Sequence, residues 1–90
     1  MESAIVDRAR QLLESVSLKE LADAGNSDYT RWQNIKRGRA RFAAEEIEIL
    51  GRVFPRYRWW LVTGEVMPEV GQVSPEYDLA NGNLSKPGLG

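Results

Sequence analysis

The 90-residue chain contains no cysteine and no histidine. The first absence excludes a disulfide framework, a thiolate metal site and a cysteine nucleophile. The second removes the commonest general base and the commonest metal ligand. No apolar run approaches the roughly 18–20 residues that span a bilayer, and the opening stretch MESAIVDRARQ lacks the apolar centre of a signal peptide. A membrane protein, a secreted scaffold and most enzymes are therefore disfavoured, and no cofactor or metal is expected. The expected setting is a reducing cytoplasm. What is present is ordinary globular composition, 42% apolar and 28% charged, on a length that holds one small domain with room for a tail.

A large excess of one charge is also missing, since the formal net charge is −1. The distribution is nevertheless uneven. Residues 27–41 carry Arg31, Lys36, Arg37, Arg39 and Arg41 against Asp28 alone, a net +4. The flanking stretches, 1–26 and 42–54, are each acidic by 2, and residues 65–90 hold four acids against Lys86. A local basic field of this kind selects a polyanionic partner where the net charge does not. The acids Glu45, Glu46 and Glu48 are the only acidic cluster, and on a helix they read as a solvated face.

The first two thirds of the chain follow helical spacing. Ile5, Ala9, Leu12 and Val16, widened by Val6 and Leu13, mark one face of a first helix. Ser17-Leu-Lys-Glu20 reads as a capping box that starts a second, with Leu18, Leu21 and Ala22 inward. The stretch from Ala24 to Asp28 is a tight break, because Gly25 and Asn26 tolerate positive φ and Ser27 or Asp28 can cap the next helix. A third helix is expected from about Tyr29 to Arg37, stopped by Gly38. A fourth, about Ala43 to Phe54, presents Ala43, Ile47, Leu50 and Phe54 inward, and Pro55 ends it. A fifth is expected from Tyr57 to Thr63, closed by Gly64. The expected fold is all-α: a compact bundle of about five short helices containing a helix-turn-helix over residues 1–64. Residues 65–90, with several glycines and prolines and no clear period, are expected to be a poorly structured tail, flexible or docked on the domain or on a partner.

On the third helix the wheel turns Trp32 and Ile35 in one direction and Thr30, Gln33, Asn34 and Arg37 in the other. The outward face is then amides, a hydroxyl and a guanidinium, without a carboxylate. Amides can bond adenine, arginine can bond guanine, and threonine offers a methyl to thymine. A capped helix, a tight break and a short acid-poor helix with a basic end form the arrangement in which a second helix enters a major groove.

In these features the chain resembles the lambda-repressor-like, Cro-type helix-turn-helix family, also called the xenobiotic-response-element type, over about Ile5 to Gly64. Ser17, Glu20, Leu21 and Ala22 match the opening of that family's pattern. Gly38 matches its closing glycine, and Trp60-Leu61-Val62-Thr63-Gly64 resembles its last helix. Departures are Leu18 for a usual glutamine, Gly25 for a core leucine, Asn26 for the turn glycine, and an exchange of the large residues at 32 and 35. The resemblance implies that Tyr29, Thr30, Gln33 and Asn34 face bases and that Lys36, Arg39 and Arg41 meet phosphates; the wheel adds Arg37 to the base-facing set, and Arg31 is expected among the phosphate contacts. The resemblance also implies core positions for Trp32 and Trp60. Trp59, with Tyr57 and the tail's valines, fits a dimer contact.

The function expected is therefore that of a sequence-specific double-stranded DNA-binding transcriptional regulator, repressor-like, acting as a homodimer and nucleoid-associated when bound. The alternative is a protein-interaction module on the same scaffold, such as an antitoxin or anti-regulator that engages a protein partner through its tail.

Overall fold

The structure, a computed structural model, describes residues 4–82. Helix α1 (Ala4–Glu14) buries Ala9, Leu12 and Leu13, as its apolar stripe requires. Helix α2 (Leu18–Ala24) begins at Ser17, whose Oγ accepts the Glu20 amide at 3.4 Å. It ends where the Gly25 amide donates to Leu21 O at 2.9 Å. Asn26 then takes a φ of 50°, and the Ser27 amide reaches back to Ala22 O at 2.8 Å. Two of the break's side chains divide the work of starting α3 (Tyr29–Lys36). Asp28 Oδ1 caps it by accepting the Thr30 amide at 3.0 Å, and Ser27 Oγ accepts Trp32 Nε1 at 2.8 Å.

Helix α4 (Ala44–Val53) buries Leu50 and, just after it, Phe54 as the spacing predicts, on a stripe wider than the expected one. Glu46, Ile49, Leu50 and Val53 are buried on the helix and Phe54 just after it. Ile47 is half-buried against the core and Ala43 is an exposed N-cap. The stripe is wide because α4 packs on two sides. Ile49 lies against the α2–α3 turn, where a β-carbon built on Gly25 would meet its Cγ2 at 2.5 Å. That contact explains why glycine stands where the resembled family places leucine. Pro55 ends α4, a 3-10 turn covers Pro55–Tyr57, and α5 (Arg58–Thr63) stops at Gly64 with φ 79°. Arg8 ties α1 to the carbonyl end of α5, donating to Leu61 O at 2.9 Å and Val62 O at 3.1 Å, where a cation complements the helix dipole.

One core joins these helices, with Leu12, Leu21, Trp32, Ile35, Leu50 and Leu61 each at most 1% exposed. Burying a side chain of this size contributes about 1.5–3 kcal/mol. Trp32 and Trp60 take their expected inward places. Tyr57 does not take a surface place: it is 3% exposed, stacked on Phe54 and edge-on to Trp60. It therefore cannot join Trp59 in an outer contact.

Beyond Gly64 the chain is docked on the domain as far as it is described. A bridge pairs Met67 with Gln72 around a 3-10 turn (Pro68–Val70), and a sixth helix, α6 (Pro75–Ala80), starts at Ser74. Val73 enters the core and its amide donates to Arg56 O at 2.8 Å. The anchor is polar. Asp78, 1% exposed, accepts from Arg56 Nη2 at 2.8 Å and from Tyr57 Oη at 2.7 Å, and Gln11 Nε2 donates to Glu76. Residues 83–90 of the expected tail lie outside the described residues.

Candidate functional site

Helix α3 is held by its buried side, its two ends and one shoulder. Trp32 and Ile35 are 1% and 0% exposed and seat the helix on α2 and the core. At the far end Gly38 adopts φ 80°, and the chain folds back so that the Arg39 and Ala40 amides donate to Asn34 O at 2.8 and 3.2 Å. A β-carbon at residue 38 would meet nothing, so it is the backbone conformation that favours glycine there. Arg10 of α1 donates to Ile35 O at 3.2 Å and lies 5.7 Å from the Phe42 ring centre, closing the carbonyl end of α3 against α1.

The outward side carries the residues expected there. Tyr29, Thr30 and Arg37 are exposed, and Gln33 and Asn34 are half-exposed. Neither of these two amide side chains makes a hydrogen bond among the described residues. No acid lies within α3, and the carboxylate of its N-cap, Asp28, is turned to the Thr30 amide. Lys36, Arg39 and Arg41 are exposed at and beyond the helix end, so one edge of the molecule joins polar uncharged groups to a basic margin. The described part of the segment after Gly64 is hydrogen-bonded to α1 and to residues 55–59, away from this face.

Arg31 stands apart from the other expected cations. Its Nη2 donates to Arg41 O at 2.8 Å and to Glu46 Oε1 at 3.1 Å. The Glu46 hydrogen bond holds the guanidinium pKa above its ordinary value. Glu46 is itself 7% exposed and also accepts the Ala43 amide at 2.8 Å. Burial pushes the Glu46 carboxyl up, but the Arg31 and Ala43 hydrogen bonds and the Arg31 charge outweigh it, leaving the pKa below the ordinary value. The acid cluster is thus not a uniform solvated face: Glu46 turns in and fastens the 38–43 loop to α3. Its position three residues after the N-cap of α4, where a carboxylate reaches back to the cap amide, is the signal that could have found it. Arg10 carried no comparable signal, because its partner is a backbone carbonyl 25 residues away.

The fold and this surface define a small, mostly helical protein in which the second of two helices joined by a tight turn presents an acid-free, basic-edged face. The chain is similar to Pf6r from the filamentous phage Pf6 of Pseudomonas aeruginosa PA01. The two are 43% identical, with a TM-score of 0.75 over 83% of this chain and 99% of that one. The chain belongs to the same family as that phage protein. No protein-family model and no curated protein matches it.

Proposed function

We propose that the protein is a sequence-specific double-stranded DNA-binding regulator of the Cro type, repressor-like, that lays α3 in the major groove. The single observation that carries this reading is the orientation of α3. Trp32 and Ile35 are buried, while Thr30, Gln33, Asn34 and Arg37 stand outward with no carboxylate among them. Those side chains suit base edges, with about 1–3 kcal/mol of discrimination for each good bidentate pair. Tyr29 flanks them. Lys36, Arg39 and Arg41 suit the phosphates, which position without specifying. Arg31, held by Glu46 and Arg41 O through Nη2 and still partly exposed, suits a phosphate from that fixed position. One short helix offers about four base contacts, so a homodimer on a two-fold site is the working form. Membership of a phage protein's family suits a small regulator.

Gel-shift titration against duplexes selected from a random pool tests the reading. The expected result is an inverted pair of half-sites, with affinity falling on the order of 10³–10⁵-fold between about 50 and 200 mM salt if roughly 6–10 phosphates are neutralised. Recovery of no common sequence, or a flat salt response, overturns it. The alternative, an antitoxin or anti-regulator whose tail holds a protein partner, draws no support from the described tail, whose α6 is engaged with its own domain.

A further inference from the structure

We propose that Glu46 is a positioning residue for DNA: an acid that the chain needs in order to hold its basic margin where a polyanion can reach it. The inference rests on the DNA-binding reading. Glu46 lies on α4, off the presented face, and is only 7% exposed. With Arg31 of α3 it brackets the backbone on both sides of residue 42. Arg31 Nη2 donates to Arg41 O at 2.8 Å, and Glu46 Oε1 accepts the Ala43 amide at 2.8 Å. The ion pair between the same nitrogen and the same oxygen, at 3.1 Å, closes the ring. Phe42, between the two points, is half-buried near the Arg10 guanidinium, while Arg41 stays exposed. The bracket therefore fixes the peptide groups that set the outward course of Arg41.

Charge alone predicts the opposite role. An acid beside a DNA-binding face repels phosphates, so its removal should tighten binding. Position predicts that removal weakens binding, because the Ala43 amide loses its acceptor and Arg31 its ionic partner, and the loop that carries Arg39 and Arg41 is released. A preset cation gives up less freedom when it meets a phosphate than one that must be ordered on contact. The chain contains its own control for the two effects. Glu45, the neighbouring residue, is exposed, and its charge also acts on Arg31. It makes no hydrogen bond or ion pair among the described residues. The two acids thus place the same charge close to α3, and Glu46 alone of the two holds the loop.

Affinity for the duplex selected from the random pool is measured by fluorescence anisotropy from about 50 to 200 mM salt. The proteins are the unaltered full chain, Glu45→Gln, Glu46→Gln, Glu46→Ala, Arg41→Ala and the Glu46→Ala/Arg41→Ala pair, with circular dichroism confirming the fold of each. Glu45→Gln is expected to bind as tightly as the unaltered chain or more tightly. Glu46→Ala should bind about 10-fold more weakly, the size of one lost charge-assisted contact, and lower the salt slope by about 1 per protomer. Glu46→Gln keeps an oxygen for the Ala43 amide and should fall between these two. Arg41→Ala should cost much less in the Glu46→Ala background than alone. If Glu46→Ala does not fold, Glu46→Gln carries the test, with binding about 3-fold or more weaker than that of Glu45→Gln. Glu46 variants that bind as tightly as Glu45→Gln, or an additive loss with Arg41→Ala, overturn the proposal and leave the DNA reading standing. An unaltered chain that binds no duplex fails that reading itself and takes the role of Glu46 with it.

Discussion

Gly25→Ala tests how the helix-turn-helix is seated on the rest of the domain. The glycine has a φ of −90°, which any residue can adopt, so its backbone gives no reason for glycine. Judged on the chain's flexibility alone, alanine should stabilise by about 0.4–1 kcal/mol through the unfolded state. The surroundings oppose this. The new β-carbon would lie 2.5 Å from Ile49 Cγ2, 3.2 Å from Leu21 O and 3.3 Å from Ser27 Oγ. Ile49 is 5% exposed and β-branched, so its Cγ2 has little room to rotate away. Overpacking of this kind costs typically about 1–3 kcal/mol. The net expectation is a loss of about 1–2 kcal/mol, a fall in Tm of roughly 5–15 °C for a domain of this size. Urea unfolding followed by tryptophan fluorescence measures it, with Ile49→Ala as the second arm of a double-mutant cycle. In the Ile49→Ala background the 2.5 Å contact is gone and only the milder approaches to Leu21 O and Ser27 Oγ remain, so Gly25→Ala should cost at least about 1 kcal/mol less than in the unaltered chain. Stabilisation by Gly25→Ala in the unaltered background, or an equal loss in both, would refute the reasoning and with it the account of how α4 seats on the turn.

The same geometry sets further expectations. The depressed pKa of Glu46 means that its contribution to stability is fully present above the ordinary value of about 4.5 and is lost as pH falls through the lower folded value. Unfolding measured from pH 7 to pH 3 should therefore show a shallower loss for Glu46→Gln than for the unaltered chain, and superimposable profiles would contradict the Arg31 pairing. Asp78→Ala strips the Tyr57 hydroxyl of its buried acceptor and should cost about 1–3 kcal/mol. Adding Tyr57→Phe should recover part of this, and a strictly additive cycle would argue against the bond. Burial and Asp78 also push the Tyr57 pKa well above 10, so phenolate absorbance should appear for this residue only at strongly alkaline pH, and stability should fall as pH rises past 10. At the proposed interface, Gln33→Ala or Asn34→Ala should relax preference at one or two base pairs, while Arg39→Ala should weaken all duplexes alike and flatten the salt slope. Equal, sequence-independent losses from all three would reduce the interaction to electrostatic adhesion.

The amino-acid sequence by itself settled what depends on neighbours along the chain. Helical spacing placed the bounds of α3, α4 and α5 within a residue, Tyr57 alone of the expected fifth helix belonging to the 3-10 turn before it. Ser17 and Asp28 announced the starts of α2 and α3, Gly38 and Gly64 marked the left-handed stops of α3 and α5, and the inward turn of Trp32 and Ile35 came from the spacing and the polar residues opposite. Tertiary structure decided whatever required two distant segments to meet. Leu50 and Phe54 of α4 were legible in the spacing, whereas the seat of Ile49 against the turn at Gly25 was not. The ion pair of Arg31 with Glu46, 15 residues apart, was likewise made by the fold and turned an expected solvated acid inward. The segment from Glu65 to Gly82 shows no period because its docking rests on a few long-range polar bonds, Asp78 to Arg56 and Tyr57 above all, and a carboxylate seeking a partner over 20 residues away leaves no repeating trace in the chain.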